Sequence, residues 1–227
     1  KQLLHLARQV PGVYVPAFFH TDYHTDGTIK HFRPLYDIPS RIKRVYLENL
    51  DQTPTCSTLL TPHTIFADTY LIETGRGCPR GCRFCAAGFI YRPPRFRKRQ
   101  QLKQNVETGL SLTSKIGLVG SAITDLPELN RLCTDAQQHN VELSFSSMRA
   151  DALTPELIDS LKSSGVRTAT IAPDAGSERM RKVINKGLNE KQILTAAQSL
   201  VTGGIPNLKL YFMVGLPTET MDDVESI

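Results

Sequence analysis

Three of the five cysteines, Cys78, Cys82 and Cys85, stand within eight residues in the stretch GRGCPRGCRFCAAGFIYRPPR. The spacing C-x3-C-x2-C gathers soft thiolate donors, which suit zinc or an iron-sulfur cluster. A structural zinc takes four ligands, and so does a cluster dedicated to electron transfer. Three cysteines close neither. A cluster held by three leaves one iron open to another molecule, by the logic that separates catalytic from structural zinc. Pro79 and Gly81 let the short loop fold back, while Gly75, Gly77 and Gly88 relax the backbone around it.

A zinc knuckle would need a fourth donor from Cys56, Cys133 or His63. Cys133 reads as core, because Leu129, Leu132, Cys133 and Ala136 share one helical face. A thioredoxin-like use of Cys82-Arg83-Phe84-Cys85 leaves Cys78 without a role. An odd number of cysteines and no visible export signal argue for metal use in a reducing compartment over a disulfide framework. The cytosol is the expected location, and no apolar run is long enough for a membrane partner.

Nine Lys and Arg lie between Thr74 and Val106 with no Asp or Glu, so the net charge of +5 leaves the rest of the chain at −4. These cations could meet RNA phosphates. They could equally balance an anionic thiolate cluster and ease the entry of an electron, a role that suits Arg76, Arg80 and Arg83.

The elements that must position this loop are legible in outline. Residues 1–65 read as an arm or linker: the end of a helix stopped by Pro11, a hairpin turned at Asp26-Gly27, a strand over 41–50, and a Thr- and Pro-bearing connector. From residue 66 the pattern changes. TYLIET runs straight into the cysteine loop, and IGLVGSAI, VELSFSSM, TATIAPD and NLKLYFMVG follow as compact runs suited to strands buried on both faces. Helices alternate with them, with Ser177 as a cap and Gly165, Gly187 and Gly203-Gly204 as stops. Strand and helix repeating five times implies parallel strands with right-handed crossovers, and chemistry then collects at the strands' C-terminal ends. The loops GSAITD, SSMRAD, APDAGS and GLPTET are expected to join the cysteines there. The chain opens on Lys1 and stops as a helix begins at Thr220, so it is expected to be a segment of a longer protein.

The cysteine motif, with Phe84 before its last cysteine, resembles that of the radical S-adenosylmethionine enzymes. With SSMRADALTPELID, TIAPDAGSERMRKVINKG and LKLYFMVGLPTET, it is similar to the branch in which a cobalamin-binding domain precedes the radical domain, and within it to an uncharacterised bacterial group. The resemblance implies an N-terminal arm (1–65) and a radical SAM core (66–227), a partial (β/α)6 TIM-like barrel truncated at its C-terminal end. It implies a [4Fe-4S] cluster on Cys78, Cys82 and Cys85 whose open iron binds S-adenosylmethionine, and a 5′-deoxyadenosyl radical that attacks substrate. Phe84 would lie near the adenine. Gly120 and Ser121 fall where the family shows Gly-Gly-Glu, and here the acid is missing. Ser147 and Arg149 would reach the carboxylate or ribose, with Asp151 as the alternative partner of Arg149. Asp174 would stand at the mouth, and Gly215 and Leu216 on the adenine side.

Cobalamin would enter through a domain outside this chain, where it would serve methyl transfer. Asp22, His24 and Gly27 spell a cobalamin-like D-x-H-x-x-G, but they lie on a hairpin without the flanking strand and helix that motif needs. The implied partners are an electron donor such as flavodoxin or ferredoxin and a substrate that could be RNA or ribosomal protein. Methylthio transfer is the alternative within the superfamily, though residues 1–77 supply only Cys56 of the three further cysteines it uses. A non-catalytic zinc or iron-sulfur RNA-binding module is the alternative outside it.

Overall fold

The opening helix α1 spans Gln2–Gln9 and stops short of Pro11, whose ring nitrogen cannot continue the ladder. The hairpin forms between β1 (Phe19–Tyr23) and β2 (Ile29–Pro34). Its turn is built as the residues dictate: the Asp26 carboxylate accepts from the N–H and hydroxyl of Thr28, and Gly27 takes φ 81°. Phe19 and Phe32 stack across the pair with ring centroids 4.8 Å apart. The strand expected over 41–50 does not form; the segment stays irregular with Val45 67% exposed. A run of branched residues becomes a strand only where a ladder partner meets it.

The structure is a computed structural model that describes residues 1–139 and 141–227. It divides into two compact units, residues 1–48 and 49–227. The connector 49–65, assigned to the arm on sequence, therefore belongs to the second unit. Leu50 is buried there, and the Ser57 N–H donates to Leu71 O at 2.9 Å while the Glu73 N–H donates to Thr55 O at 3.0 Å. Thr and Pro made these residues look like a linker, yet Cys56 forms an antiparallel bridge to Ile72.

The second unit continues as β3 (Tyr70–Glu73), β4 (Gly75–Arg76), β5 (Arg95–Phe96), α2 (Arg99–Leu110), β6 (Lys115–Val119) and α3 (Leu129–Gln137). Then come β7 (Glu142–Phe145), α4 (Pro155–Ser163), β8 (Thr168–Asp174), α5 (Glu178–Val183), α6 (Glu190–Thr202), β9 (Asn207–Phe212) and α7 (Met221–Glu225). The long strands are parallel and lie side by side in chain order. Tyr70 pairs with Ile116, Ile116 with Leu143, and Thr168 with Asn207, while a single parallel bridge from Met148 to Ile171 joins the β3-β6-β7 sheet to the β8-β9 pair. The fold is thus mixed α/β with helical crossovers.

Local chemistry starts the helices, while α5 ends at Val183, ahead of the expected stop at Gly187. Thr154 accepts from the Leu157 N–H at 3.2 Å with Pro155 at the first helical position, and Ser177 accepts from the Met180 N–H at 3.1 Å. Asn189 and Gln192 form a reciprocal capping box on α6.

Only one face of the strands carries the core. Ile72, Ile116, Leu118, Leu143 and Ile171 pack with Leu102, Val106, Leu132, Leu161 and Leu200 from the helices, and each such side chain contributes about 1.5–3 kcal/mol on burial. The expectation of strands buried on both faces is corrected here, because Val119, Lys209 and Tyr211 of the opposite face are exposed.

Candidate cofactor-binding site

Beyond β3 the backbone is pinched into a neck. Gly75 pairs with Phe96 and Arg76 with Arg95, so residues 77–94 leave and return at one place. The loop inside is wound tightly. Gly77 sits at φ 83°, and a Cβ there would come within 2.3 Å of Tyr91 O; one at Gly88 would come within 2.3 Å of Arg80 O. Any larger residue at either position would force the loop apart.

Arginines knit this loop. Arg92 donates to the carbonyls of Pro79 (3.3 Å) and Arg80 (3.0 Å), and Arg95 to those of Tyr91 (3.3 Å) and Pro93 (3.0 Å). At the neck Glu73 receives Arg76 at 2.7 Å and the fully buried Arg97 at 2.5 Å, and Arg97 also donates to Leu50 O. Burial alone would push the Glu73 carboxyl up, but hydrogen bonds from Arg76 and Arg97 outweigh it and hold it below its usual range. Arg80 pairs with Asp125 at 2.7 Å and Arg99 with Asp135 at 2.9 Å. Four of the nine cations of this stretch are thus matched by carboxylates that the linear count placed elsewhere.

All five cysteines are free thiols. Cys82 is buried, Cys78 and Cys85 are half-buried, and the Arg80 N–H points at Cys78 Sγ from 3.5 Å. Burial pushes the Cys82 thiol up, while Lys186 and Arg149 pull it back toward the thiolate. Cys133 is wholly buried in the core, its thiol pushed up to about 12 by desolvation. Cys56 lies against Tyr70, whose phenol burial and that thiol together push up to about 12. Among the described residues no three His, Cys, Asp or Glu side chains are gathered to grip a single ion.

The remaining candidates fall at the C-terminal ends of the parallel strands. Gly120 and Ser121 line a cavity of about 590 Å³ together with Glu73, Tyr91, Val119 and Gly77, the residue before Cys78. Ser146 fixes the Gly120 backbone, donating to its carbonyl at 2.7 Å and accepting from its N–H at 3.3 Å. Arg149 does not reach into open space: both oxygens of Asp151 hold it at 2.8 Å, and it donates to Lys186 O at 3.2 Å. The Asp151 carboxyl, pushed up by burial, is pulled below its usual range by Arg149. Asp174 is buried at φ 67° and receives Lys186 Nζ at 2.5 Å.

Gly215 and Leu216 point their N–H groups at the Glu219 carboxylate, at 2.5 and 3.2 Å. Phe84 is 43% exposed, and Ser147 is exposed. Phe84, Ser147, Gly215 and Leu216 are not among the residues that line the cavity.

Three charged residues of the site escaped sequence reading. Asp125 is the one acid of the loop GSAITD, which was its signal. Lys186 lies beyond the end of α5 at Val183. Glu73 looked like a strand residue. Arg80 Nε and Asp125 Oδ2 are both buried without a partner, which leaves polar capacity beside the cysteine loop.

The uncharacterized protein MJ0966 of Methanocaldococcus jannaschii is 40% identical over 191 residues, covering 82% of this chain and 42% of that protein. This chain thus spans less than half of that relative. The cobalamin-dependent S-adenosylmethionine radical enzyme OxsB with aqua-cobalamin bound is similar in fold over 92% of this chain and 31% of its own, with TM-score 0.60 and 18% identity. The radical S-adenosylmethionine methyltransferase TsrM from Kitasatospora setae gives TM-score 0.59 and 16% identity over 69% of this chain and 32% of its own. The profile of the Radical SAM superfamily matches residues 72–227, from the middle of β3 through every loop described above, and the chain belongs to that superfamily.

Proposed function

We propose that this chain is the radical-generating segment of a longer enzyme, in which Cys78, Cys82 and Cys85 hold a [4Fe-4S] cluster and the adjoining cavity receives S-adenosylmethionine. The observation that carries the reading is three free thiols on one loop, whose Gly77 and Tyr91 line a cavity of about 590 Å³ with Gly120 and Ser121. The donor set fits the cluster. Thiolates suit iron-sulfur chemistry, and cluster ligands bind separate irons, so they need not converge on one point as the ligands of a single zinc must. Cys133 in the core and Cys56 against Tyr70 are engaged elsewhere, which weakens the zinc alternative.

When bound, the cluster supplies the single electron that splits S-adenosylmethionine and yields the 5′-deoxyadenosyl radical. The chain's own residues prepare the place for it. Lys186 and Arg149 put positive charge near Cys82 and favour its thiolate. Glu73, Arg76 and Arg97 fix the neck so that the loop returns beside the cavity. The Gly120 backbone, held by Ser146, presents a rigid wall. The parallel strands are read as part of a (β/α)6 barrel, which puts these loops on its C-terminal face.

Methylation with cobalamin is the reaction this reading favours, by analogy with the printed names of OxsB and TsrM. Asp22, His24 and Gly27 do not fit cobalamin: they lie on the exposed β1–β2 hairpin, with Asp22 hydrogen-bonded to His20 at 3.0 Å. Cobalamin would therefore be held by another domain. A cytosolic electron donor such as flavodoxin or ferredoxin is the partner the chemistry requires. An RNA or ribosomal-protein substrate draws little support from the basic stretch, since Arg76, Arg80, Arg97 and Arg99 are matched by carboxylates.

Anaerobic reconstitution tests the reading. It expects about four irons and four sulfides per chain, and 5′-deoxyadenosine on adding dithionite and S-adenosylmethionine. One tightly held zinc and no cleavage would overturn it.

A further inference from the structure

The turn after α5 lies about a hundred residues from the cysteine loop in sequence, yet it is fastened to it. Asn185 Nδ2 donates to Gly81 O at 2.8 Å, the Arg83 N–H donates to Ile184 O at 2.9 Å, and Arg83 Nη1 donates to Val183 O at 2.5 Å. Arg92 already holds the carbonyls of Pro79 and Arg80. All three successive carbonyls between the first two cysteines are therefore held by side chains from outside that short segment.

The turn is itself immobilised. Its Lys186 N–H donates to Arg181 O at 2.9 Å, its Lys186 carbonyl accepts from Arg149, and its Lys186 ammonium is paired with Asp174 and only 10% exposed. Asn185 adopts φ 55°, the left-handed region that asparagine enters more readily than most residues. A Cβ on Gly81 would come within 3.2 Å of Asn185 Nδ2, so the loop backbone and that amide meet at close quarters.

We infer that the turn Val183–Lys186 is a clasp that positions the cysteine loop, with Asn185 as its positioning residue. The loop has no strand partner between Cys78 and Cys85, so its conformational entropy is opposed chiefly by these donors. Loss of one such hydrogen bond shifts an opening equilibrium by about fivefold. The clasp belongs to the bare chain. Its consequence for iron rests on the cluster reading above.

The test separates the two. The metal-free chain, reduced and anaerobic, is pulsed with iodoacetamide, and labelling of Cys82 and Cys133 is followed by mass spectrometry. Asn185→Gly keeps the left-handed backbone and deletes only the amide; Asn185→Asp turns an acceptor toward the Gly81 carbonyl. Both variants should label Cys82 about fivefold faster than the parent, with Cys133 unchanged. A Cys82 rate within about twofold of the parent, or a parallel rise at Cys133, would overturn the clasp, since ~1 kcal/mol must show and must be local.

In a second arm the proteins are loaded with iron and sulfide and challenged with a chelator. The variants should release iron faster and give an altered EPR line shape on reduction at an unchanged melting temperature. Release and line shape identical to the parent's would remove the positioning role. A parent that binds no iron would sink the cluster reading, while the labelling result would still decide the clasp.

Discussion

In the strand framework Ile72, Ile116 and Ile171 are completely buried, and the helices are fitted over them with Leu161 of α4 equally buried. In the loop 77–94 only Gly77, Cys82 and Gly88 are buried, and order comes from Arg92, Arg95 and Asn185 reaching carbonyl oxygens. The framework is held by removing apolar area from water, which is non-directional and tolerant of modest change. The loop is held by a few directional bonds, each of modest net value. The molecule can therefore lose its site without losing its fold, and weaken its fold without first losing its site.

The largest expected effect breaks the loop alone. Cys78→Ser and Cys85→Ser should each lower reconstituted iron by about tenfold or more, since a three-thiolate site has no spare ligand. Urea unfolding of the metal-free chain should stay within about 0.5 kcal/mol of the parent, as for half-exposed positions outside a core. Leu161→Ala reverses this, costing about 2–5 kcal/mol in urea unfolding through the cavity it leaves, with iron stoichiometry retained below the transition.

Arg97→Met strikes the join between the two regions. The Arg97 side chain is fully buried and bound to Glu73, and removing it should cost about 2–3 kcal/mol, less than for a wholly buried pair because Glu73 keeps Arg76. It should also speed iron loss, where Leu161→Ala does not.

Acid sharpens the same point. The folded Glu73 carboxyl is held below its unfolded value, so its contribution is complete above about pH 4.3 and is lost as pH falls through the folded value. Urea midpoints compared at pH 6 and pH 3 should therefore drop less in Glu73→Gln than in the parent. Thr154→Ala is the smallest change, about 1 kcal/mol from the lost α4 cap, and it should leave the iron untouched.

Much of the fold was legible because its signals are local. Ser177 begins its helix as read, and Thr154-Pro155 and Asn189-Gln192 likewise act within one helical turn. The apolar runs announced the parallel strands. What escaped were pairings whose partner is distant: residues 55–57 along β3, and the neck of β4 on β5. Residues 41–50 failed in the opposite way, since suitable composition met no ladder.

For this protein the sequence determined the order of strands and helices, the caps that bound them and the three thiols with no fourth. Those depend on residue type and short spacing, which the chain carries along its own length. Only the tertiary structure decided that Arg149 is clasped by Asp151, that Arg80, Arg97 and Arg99 of the basic stretch meet Asp125, Glu73 and Asp135, and that the turn at Asn185 fastens the cysteine loop. Apart from the short Arg149–Asp151 step, these bonds join residues that come together only after the strands have paired, so no local pattern can foretell which donor finds which acceptor.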